Sequence, residues 1–278
     1  MTEVSNAEGW QLVGSSPEAY ERYLVPPIFA PFAEHLVELT SPGPGSRVLD
    51  VACGTGIVAR RVSPRLGGTG TAVGVDSNRK MLDVATAASA DLDPPLQWLL
   101  ADAADLPLPS DSVDCVLCQQ GLQFFADPQA ALLEMRRVLA PGGCLALSVW
   151  RSIDASPGFA VLARALERHA GREVGAIMRA PFAGMDGERL RAMVAGAGLR
   201  DVRIHIRIEP VRFPSAQELL RREAAASPLG EPLGALPPDV RQMLARDLAD
   251  ALRAHTDDSG VVFPMGTYIV TAGHTPSA

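Results

Sequence analysis

The stretch Arg47-Val-Leu-Asp-Val-Ala-Cys-Gly-Thr-Gly56 joins a short apolar strand, Arg47–Val51, to a glycine-rich loop. A helix is predicted directly after the loop, over Ile57–Leu66. Glycines 54 and 56 permit positive φ, and because they lack a Cβ they let a ligand approach the backbone closely. The unpaired N–H groups at the start of the helix favour the anionic end of a ligand. The stretch therefore predicts a strand–loop–helix unit that binds a small molecule.

Further strands alternate with helices through the middle of the chain. A helix that begins at Asp127-Pro128 runs to Leu139 and ends before Pro141-Gly-Gly143. The other strands are Thr71–Val75, Leu96–Ala101, Val113–Cys118 and Cys144–Val149, and the remaining helix is Arg79–Ala90. Near-continuously apolar strands that alternate with helices predict an α/β domain whose parallel sheet is covered on both faces.

Three of these strands end on an aspartate. Asp50, Asp76 and Asp102 are separated by 26 residues each, 76 − 50 and 102 − 76. Because the carboxyl ends of parallel strands share one edge, we expect the three carboxylates to lie along one cleft, and an acid after the second strand suits a ribose. Gly54–Ala59 also fits G-x-G-x-x-G/A, so the pattern alone leaves a dinucleotide and another adenosine ligand both open.

The composition excludes several classes of protein. The 278 residues include 25 basic and 32 acidic side chains, which give a net charge of −7, and 47% of the residues are hydrophobic. A disordered chain and a broad nucleic-acid surface are thereby disfavoured. No apolar run approaches the roughly 18 residues of a membrane span, and residues 1–11 lack a signal pattern. We expect a soluble, cytoplasmic protein without membrane or nucleic-acid partners.

The four cysteines do not predict a disulfide framework in a chain of this length. Cys115 and Cys118 have C-x-x-C spacing, but they lie on a predicted strand, where positions i and i+3 point to opposite faces. No second Cys/His pair follows at zinc spacing. We therefore expect buried, unreactive cysteines and no metal site.

Several motifs outside the glycine loop carry a resemblance to a known family. They are Ala101-Asp-Ala-Ala-Asp-Leu-Pro-Leu-Pro109, Asp111-Ser-Val-Asp-Cys-Val116 and Ala131-Leu-Leu-Glu-Met-Arg-Arg-Val-Leu-Ala-Pro-Gly-Gly143. Together with Asp50–Gly56 and Asp76, they make about residues 47–150 resemble the class I S-adenosylmethionine-dependent methyltransferases. The subgroup that looks most similar is the ubiquinone/menaquinone-biosynthesis-like small-molecule methyltransferases.

The resemblance implies a cofactor, S-adenosylmethionine, and a role for each matching residue. It implies that Asp50 and the loop amides hold the methionine end, that Asp76 takes the ribose hydroxyls, and that Asp102 and the Ala103 amide meet the adenine. Residues past the fourth strand would flank the sulfonium. The implied cofactor-binding residues are Asp50, Ala52, Cys53, Gly54, Thr55, Gly56, Asp76, Ser77, Met81, Asp102, Ala103, Cys118 and Gln119.

The resemblance also implies a Rossmann-like, seven-stranded, mostly parallel sheet in the order 3-2-1-4-5-7-6, with the last strand antiparallel. The flanking elements are strands over Val202–Ile208 and Val261–Thr271 and helices over Ser16–Leu24, Ile28–Leu39, Phe159–Ala170, Glu188–Ala195, Ser215–Ala226 and Asp239–Ala254. Pro26-Pro27 is expected to break the first helical segment. The division we expect is a helical cap (1–40), a cofactor-binding core (41–151), a helical insertion over the active site (152–185), a core helix and strand (186–208), a helical lid (209–260), and a last strand with tail (261–278).

The candidate catalytic residues are Gln120 and His169. Gln120 follows the fourth strand, at the end where the methyl group is expected, and its amide can orient an acceptor but cannot take a proton near neutral pH. His169 ends an apolar stripe on a predicted helix, where either a buried structural histidine or a base fits. Tyr23, three residues after Tyr20 on one helical face, suits either the cofactor carboxylate or aromatic packing. His205, between two arginines, is expected to be solvated.

These observations favour a methyltransferase of secondary metabolism that acts on a small, largely apolar metabolite by in-line displacement, as a monomer or homodimer. Three alternatives stay open: a cofactor-bound cyclase or pericyclase-like enzyme that does not methylate, an RNA or protein methyltransferase, and an NAD-dependent dehydrogenase. The dehydrogenase is disfavoured because Lys80 is the only lysine, so that no Tyr-x-x-x-Lys pair exists. An RNA-binding surface is disfavoured because Ser215–Ala254 contains no aromatic residue.

Overall fold

The computed structural model describes residues 16–274. The strands in this part of the chain are β1 (Arg47–Val51), β2 (Thr71–Asp76), β3 (Gln97–Leu100), β4 (Val113–Gln119), β5 (Leu139–Trp150), β6 (Arg200–Phe213), β7 (Thr256–Asp257) and β8 (Gly260–Gly273). The α-helices are α1 (Pro17–Tyr23), α2 (Ala30–Thr40), α3 (Ile57–Val62), α4 (Arg79–Ala88), α5 (Pro128–Val138), α6 (Pro157–Ala170), α7 (Arg172–Arg179), α8 (Gly187–Gly196), α9 (Ala216–Ala226), α10 (Gly230–Gly234) and α11 (Pro238–Ala251).

The strands form one sheet in the order β3-β2-β1-β4-β5-β8-β6, and the two-residue β7 pairs with β8 outside this path. Strands β3, β2, β1, β4 and β5 are mutually parallel. Strand β8 runs antiparallel to β5, because Thr267 bonds to Val149 while His274 bonds to Gly143. The expected order 3-2-1-4-5-7-6, with the last strand antiparallel, is therefore confirmed once the short β7 is set aside.

The sheet is covered on both faces, as the apolar strands predicted. One face packs under α2 and α3 through Leu36, Val58 and Leu117. The other face packs under α5 and α8 through Leu132, Val194 and Val116. Val116 and Leu117 are neighbours on β4, and they take opposite faces because side chains alternate along a strand.

Cys115 and Cys118 lie on opposite faces of β4, as predicted. Cys115 belongs to the core under α2 and α3, and Cys118 to the core under α5 and α8. All four cysteines are free thiols. The residue paired with Cys115 across the sheet is Cys144 on β5, not Cys118.

An ion pair fixes the amino ends of β1 and β4. The Arg47 guanidinium donates to both carboxylate oxygens of Asp114, at 3.1 and 2.7 Å, and the Arg47 amide donates to the same carboxylate at 2.8 Å. The hydrogen bonds from Arg47 hold the pKa of Asp114 below its usual value. This pairing adds a side-chain link between two strands that are already in parallel register and whose carboxyl ends carry the candidate site.

The chain divides into two compact units, which we call the sheet unit and the helical unit. The sheet unit comprises Ala30–Val149, Met185–Arg207 and the described residues from Thr267 onward. The helical unit comprises the described residues up to Phe29, together with Trp150–Gly184 and Ile208–Gly266.

The helical unit is built around a continuous series of aromatic rings. Each ring lies 5.0–6.4 Å from the next, centroid to centroid, within the range of favourable aromatic pairing. In order, the series is Tyr20, Phe29, Trp150, Phe182, Phe159, Phe263 and Phe213. Tyr20 therefore packs against another aromatic ring, Phe29.

Two proline-containing segments differ in part from the prediction. The α-helix is interrupted at Pro26-Pro27 as predicted, since α1 ends at Tyr23 and α2 begins at Ala30, but Val25–Phe29 forms a π-helical turn between them. The wider π turn relieves the clash that a proline ring makes with a carbonyl one turn earlier in an α-helix. Helix α5 ends before Pro141-Gly-Gly143 as predicted, but β5 begins at Leu139 rather than at Cys144 and includes this stretch, since Gly142 and Gly143 exchange backbone hydrogen bonds with His274.

Strand β6 is longer than the predicted Val202–Ile208, and its isoleucines do not share one environment. Ile204 packs against the core of the sheet unit, whereas Ile206 and Ile208 are 49% and 57% exposed. Strand β6 is at the end of the strand order, so it has a neighbour on one side only. Helices α7 and α10 and strand β7 were not predicted.

Gly74 gives a direct test of the packing in the sheet unit. A Cβ at Gly74 would overlap the Trp98 ring and lie 2.9 Å from Cys53 Sγ. We expect Gly74→Ala to lower the free energy of unfolding by about 1–3 kcal/mol through overpacking, measured by denaturant titration. Gly43→Ala, where a Cβ meets open space, is the matched control. If the clash is the cause, Trp98→Leu recovers part of the loss; equal losses at Gly43 and Gly74 would contradict this packing.

Candidate functional site

The loop between β1 and α3 turns tightly at the carboxyl edge of the sheet. Ala52, Gly54 and Gly56 adopt positive φ of 54°, 54° and 81°. Ala52 does so despite its Cβ, a conformation that stores strain and that is concentrated at functional sites. The Cys53 amide donates to the Val75 carbonyl at 3.0 Å, which holds the loop against the end of β2.

Asp76, at the end of β2, ties this loop to the next helix. Its Oδ2 accepts the Gly54 amide at 2.8 Å, and its Oδ1 accepts the Asn78 amide at 2.8 Å. Burial raises the pKa of Asp76, while the two amides oppose the rise. Because a carboxylate has about four lone-pair sites, each oxygen keeps one for a donor from a ligand.

Asp50, at the end of β1, is 1% exposed, and only one of its two carboxylate oxygens has a hydrogen-bond partner in the described chain. Its Oδ2 accepts the Ala59 amide of α3 at 3.1 Å. Within residues 16–274, neither its Oδ1 nor the buried Thr55 Oγ1 has a hydrogen-bond partner. Burial raises the pKa of Asp50 to about 8. Two unsatisfied buried oxygens beside one loop indicate a place for a polar ligand.

Asp102 and Ala103 follow β3, the neighbour of β2. Asp102 is exposed, and its Oδ1 accepts the Ala104 amide at 2.8 Å, while Ala103 is buried. On the α4 side, Ser77 is exposed and Met81 is buried. The three aspartates thus end three adjacent strands of the sheet, in the order that the sequence predicted.

The loop after β3 is held by Glu134 and Arg137 of α5. Arg137 on α5 donates to the carbonyls of Leu106 and Leu108 at 2.9 and 2.8 Å, and it is bidentate with Glu134 at 2.6 Å. Glu134 in turn accepts the Leu106 amide at 3.0 Å. The Glu134–Arg137 part of the family motif therefore fixes the loop that carries Asp102.

The side-chain amide of Gln120, just past β4, is hydrogen-bonded to other residues of the sheet unit. Its Nε2 donates to Ser148 Oγ at 3.2 Å and to Thr267 Oγ1 at 3.0 Å, and its Oε1 accepts from Gln123 at 3.3 Å. Its φ is 54°, and its side chain is 5% exposed. Both amide N–H groups are thus used by the protein, which fixes the chain at the end of β4, next to Gln119.

Two thiols border the same loops and are chemically quiet. Burial raises the pKa of Cys118 to about 12 and also raises that of Cys53, and in both cases the Asp50 carboxyl adds to the rise. Both side chains are therefore neutral thiols near pH 7, rather than thiolate nucleophiles.

His169 and Tyr23 belong to the helical unit. His169 Nε2 lies 2.8 Å from Asp247 Oδ2, a contact that orients the ring. Tyr23 lies among arginines, and Arg221 contacts its hydroxyl and lowers its pKa. In the sheet unit, His205 is not simply solvated as expected: it lies 3.3 Å from Thr271 Oγ1, and burial lowers its pKa.

The sequence analysis missed three residues that support the site. Ser148 and Thr267 hold the Gln120 amide, and the Trp98 ring lies against both Gly56 and Gly74. Ser148 and Thr267 lie on apolar strands far from Gln120 in sequence, and neither fits a motif. Trp98 had one available signal, since a large ring opposite glycines on adjacent strands suggests close packing.

In the part of the chain that the structure describes, no helix is long and apolar enough to cross a membrane. Among residues 16–274 there is also no cluster of three or more His, Cys, Asp and Glu side chains that could hold a metal ion.

The part of the chain that carries the site is similar to known sequences. Residues 49–147 match the family described as "Methyltransferase domain". The ubiquinone/menaquinone biosynthesis C-methyltransferase UbiE of Pseudomonas savastanoi pv. phaseolicola is 40% identical over 111 residues, which cover 39% of this chain and 43% of that protein. The chain thus spans less than half the length of such curated relatives.

Solved structures share the fold. A structure of Haemonchus contortus phosphoethanolamine N-methyltransferase 2 in complex with S-adenosyl-L-methionine superposes with a TM-score of 0.59 at 16% identity, covering 94% of this chain and 57% of that one. The [4+2]-cyclase SpnF superposes with a TM-score of 0.53 at 21% identity, covering 89% and 81%. Both likenesses show a common fold and extend well beyond residues 49–147.

The role of Arg137 in holding the loop after β3 can be tested by comparing variants at Arg137 and at Arg136. We expect Arg137→Lys to lower the free energy of unfolding by about 1–2 kcal/mol, because a lysine cannot donate to two carbonyls and a carboxylate at once. Arg136→Lys, which changes a residue with no hydrogen bond or ion pair in the described chain, is the control. Denaturant unfolding of both variants provides the measurement, and indistinguishable values would remove the role given to Arg137.

Asp50 predicts how stability depends on pH. Its pKa of about 8 in the folded chain lies above the unfolded value. Between these values the folded state holds a proton that the unfolded state has lost, so this group's stabilising contribution falls as pH rises toward 8. The slope is at most about 1.4 kcal/mol per pH unit. We expect Asp50→Asn to flatten the decline in unfolding free energy between pH 5 and 8, and Asp102→Asn to leave it unchanged. A wild-type slope in Asp50→Asn would contradict this assignment.

Proposed function

We propose that this chain, whose residues 49–147 match the family described as "Methyltransferase domain", is a class I S-adenosylmethionine-dependent methyltransferase that transfers a methyl group to a small, largely apolar metabolite. S-adenosylmethionine is the cofactor of that family. The acceptor and the activity of the whole chain are proposals, because the curated relatives match over less than half of their length. The observation that carries the proposal is the set of three aspartates at adjacent strand ends, together with the buried Asp50 and Thr55 oxygens that lack a partner in the described chain beside the glycine loop.

The residues present fit the cofactor. The Asp50 Oδ1 that lacks a partner in the described chain suits an ammonium donor, which the methionine end of the cofactor provides. The two Asp76 oxygens, each with one backbone donor already, suit the ribose hydroxyls. We assign the methionine end to Asp50, Ala52, Cys53, Gly54, Thr55 and Gly56, the ribose to Asp76, Ser77 and Met81, the adenine to Asp102 and Ala103, and the methyl-bearing end to Cys118 and Gln119.

The chemistry that this chain must supply is mainly positioning. The bound cofactor supplies a methyl group already activated on a sulfonium, and transfer is an in-line displacement. The protein's task is to align the acceptor and exclude water. The Cys53 and Cys118 thiols, whose pKa values are raised by burial, do not compete as nucleophiles. Their neutrality keeps the region beside the methyl group free of a second reactive anion.

Gln120 acts in this proposal as a positioning residue. Its amide is bound to Ser148 and Thr267, so it holds the end of β4 in a strained left-handed conformation rather than donating to an acceptor. His169 is the proposed base for an acceptor that must lose a proton, with Asp247 orienting its ring. The sequence left Tyr23 open between the cofactor carboxylate and aromatic packing, and its arginine partners suggest a third role.

The other expectations are kept as proposals. They are a cytoplasmic location, a role in secondary metabolism, a monomer or homodimer, and the division into cap, core, insertion and lid segments. A cyclase that retains the cofactor without methylating, and an RNA or protein methyltransferase, remain alternatives. The likeness to SpnF concerns the fold and does not favour the first of them.

Asp76 tests cofactor binding. We expect Asp76→Asn to weaken S-adenosylmethionine binding by about 1–3 kcal/mol, since a charged acceptor of the ribose hydroxyls is lost. Calorimetric titration of wild type, Asp76→Asn and the exposed α4 variant Asp83→Asn provides the comparison. Unchanged affinity in a folded Asp76→Asn variant would show that the ribose binds elsewhere.

Turnover tests methyl transfer itself. The protein is incubated with S-adenosylmethionine and metabolite extracts, and release of S-adenosylhomocysteine is measured together with new methylated masses. We expect both products to appear together, and His169→Ala to lower the rate by about 10²-fold or more only if the acceptor must be deprotonated. Cofactor binding with a new product of unchanged mass, and without S-adenosylhomocysteine, would favour the cyclase alternative.

A further inference from the structure

Three guanidinium groups surround one tyrosine ring in the helical unit. The Cζ atoms of Arg221, Arg22 and Arg222 lie 4.7, 5.4 and 5.7 Å from the centroid of Tyr23. Arg22 and Tyr23 come from the end of α1, and the other two arginines from the middle of α9. We call these four residues the Tyr23 cluster.

The cluster carries an excess of positive charge. Glu218 is the one carboxylate that pairs with its arginines in the described chain, and it contacts Arg221 at 2.6 Å and Arg222 at 3.1 Å. Three guanidinium groups and one carboxylate leave a net charge of +2, in a chain whose total is −7.

The hydrogen-bond donors of the cluster are only partly used. Arg222 uses its Nε for Glu218, while its two terminal nitrogens donate to no group in the described chain. Its guanidinium lies over both the Tyr23 ring and the Phe213 ring, 5.7 and 6.0 Å from their centroids. Stacking on aromatic faces fixes the plane of a guanidinium and leaves its edge N–H groups available in fork geometry. Such edges match carboxylate and phosphate oxygens.

The arginines also change the acidity of the Tyr23 phenol. A hydrogen bond from Arg221, followed by the charge of Arg22, lowers the pKa of Tyr23. The same groups that favour a negative charge on this phenol favour any other anion of similar size. With three cations kept close together, binding an anion also relieves their mutual repulsion.

We propose that the Tyr23 cluster binds a carboxylate or phosphate group of a ligand other than the cofactor. Anion binding by the cluster does not rest on the proposed function.

The test compares wild type with Arg22→Gln/Arg222→Gln and with the control Arg253→Gln, which changes an exposed arginine paired with Asp250 on another segment of the helical unit. Inorganic phosphate and acetate are titrated at constant ionic strength, and the arginine Nε–H resonances are followed by NMR. We expect saturable binding in wild type and in the control, weakened tenfold or more in the double variant. Thermal unfolding checks that the variants fold, and Arg22→Gln alone, at an exposed position, serves if the double variant does not.

S-adenosylmethionine binding is measured by calorimetry on the same samples. We expect equal cofactor affinity in wild type and the double variant. A parallel loss of cofactor and phosphate binding would make the cofactor's own carboxylate the occupant and overturn an anion site that is separate from the cofactor. Phosphate binding that does not saturate, or that is equal in all variants, would overturn the anion site. Phosphate binding without any cofactor binding would instead refute the proposed function and leave the anion site intact.

Discussion

The hydrogen bond from the Gly54 amide to the Asp76 carboxylate, 2.8 Å long, is the interaction on which the candidate site depends. It joins the loop after β1 to the end of β2, and the other Asp76 oxygen extends the connection to the start of α4 through Asn78. Parallel strands bring their carboxyl ends to one edge, but the register of β1 and β2 alone does not shape a loop. One buried carboxylate does so here, while it keeps acceptor sites for a ligand.

Several residues of the site are in unfavourable states, and contacts elsewhere in the sheet unit hold them there. Asp50 is a buried acid with an oxygen that has no partner in the described chain, and Ala52 and Gln120 adopt left-handed backbone conformations. Each feature costs free energy in the free protein. The covered sheet, the Arg47–Asp114 pair and the Arg137 contacts hold the surrounding chain in place. Local violations of this kind are expected at a binding site, where a ligand supplies the missing partners.

The sequence was sufficient for features that depend on local pattern. The strand–helix alternation, the three strand-end aspartates and the opposite faces of Cys115 and Cys118 follow from periodicity, and the strand order followed from the family resemblance. Contacts between distant segments could not be predicted in the same way. Arg137 contacts carbonyls about thirty residues earlier in the chain, and Gln120 contacts Thr267 across 147 residues. The strand pairing of Pro141-Gly-Gly143 likewise requires His274, which no local pattern reveals.

The central claim is that the aspartate-held loop binds S-adenosylmethionine, and a crystal structure of the chain with this cofactor tests it most directly. The account predicts the cofactor's amino nitrogen within about 3 Å of Asp50 Oδ1 and the ribose hydroxyls within the same distance of Asp76. It also predicts that the Asp76–Gly54 hydrogen bond is retained in the complex. A cofactor bound elsewhere, or one that leaves Asp50 Oδ1 without a donor, would contradict it.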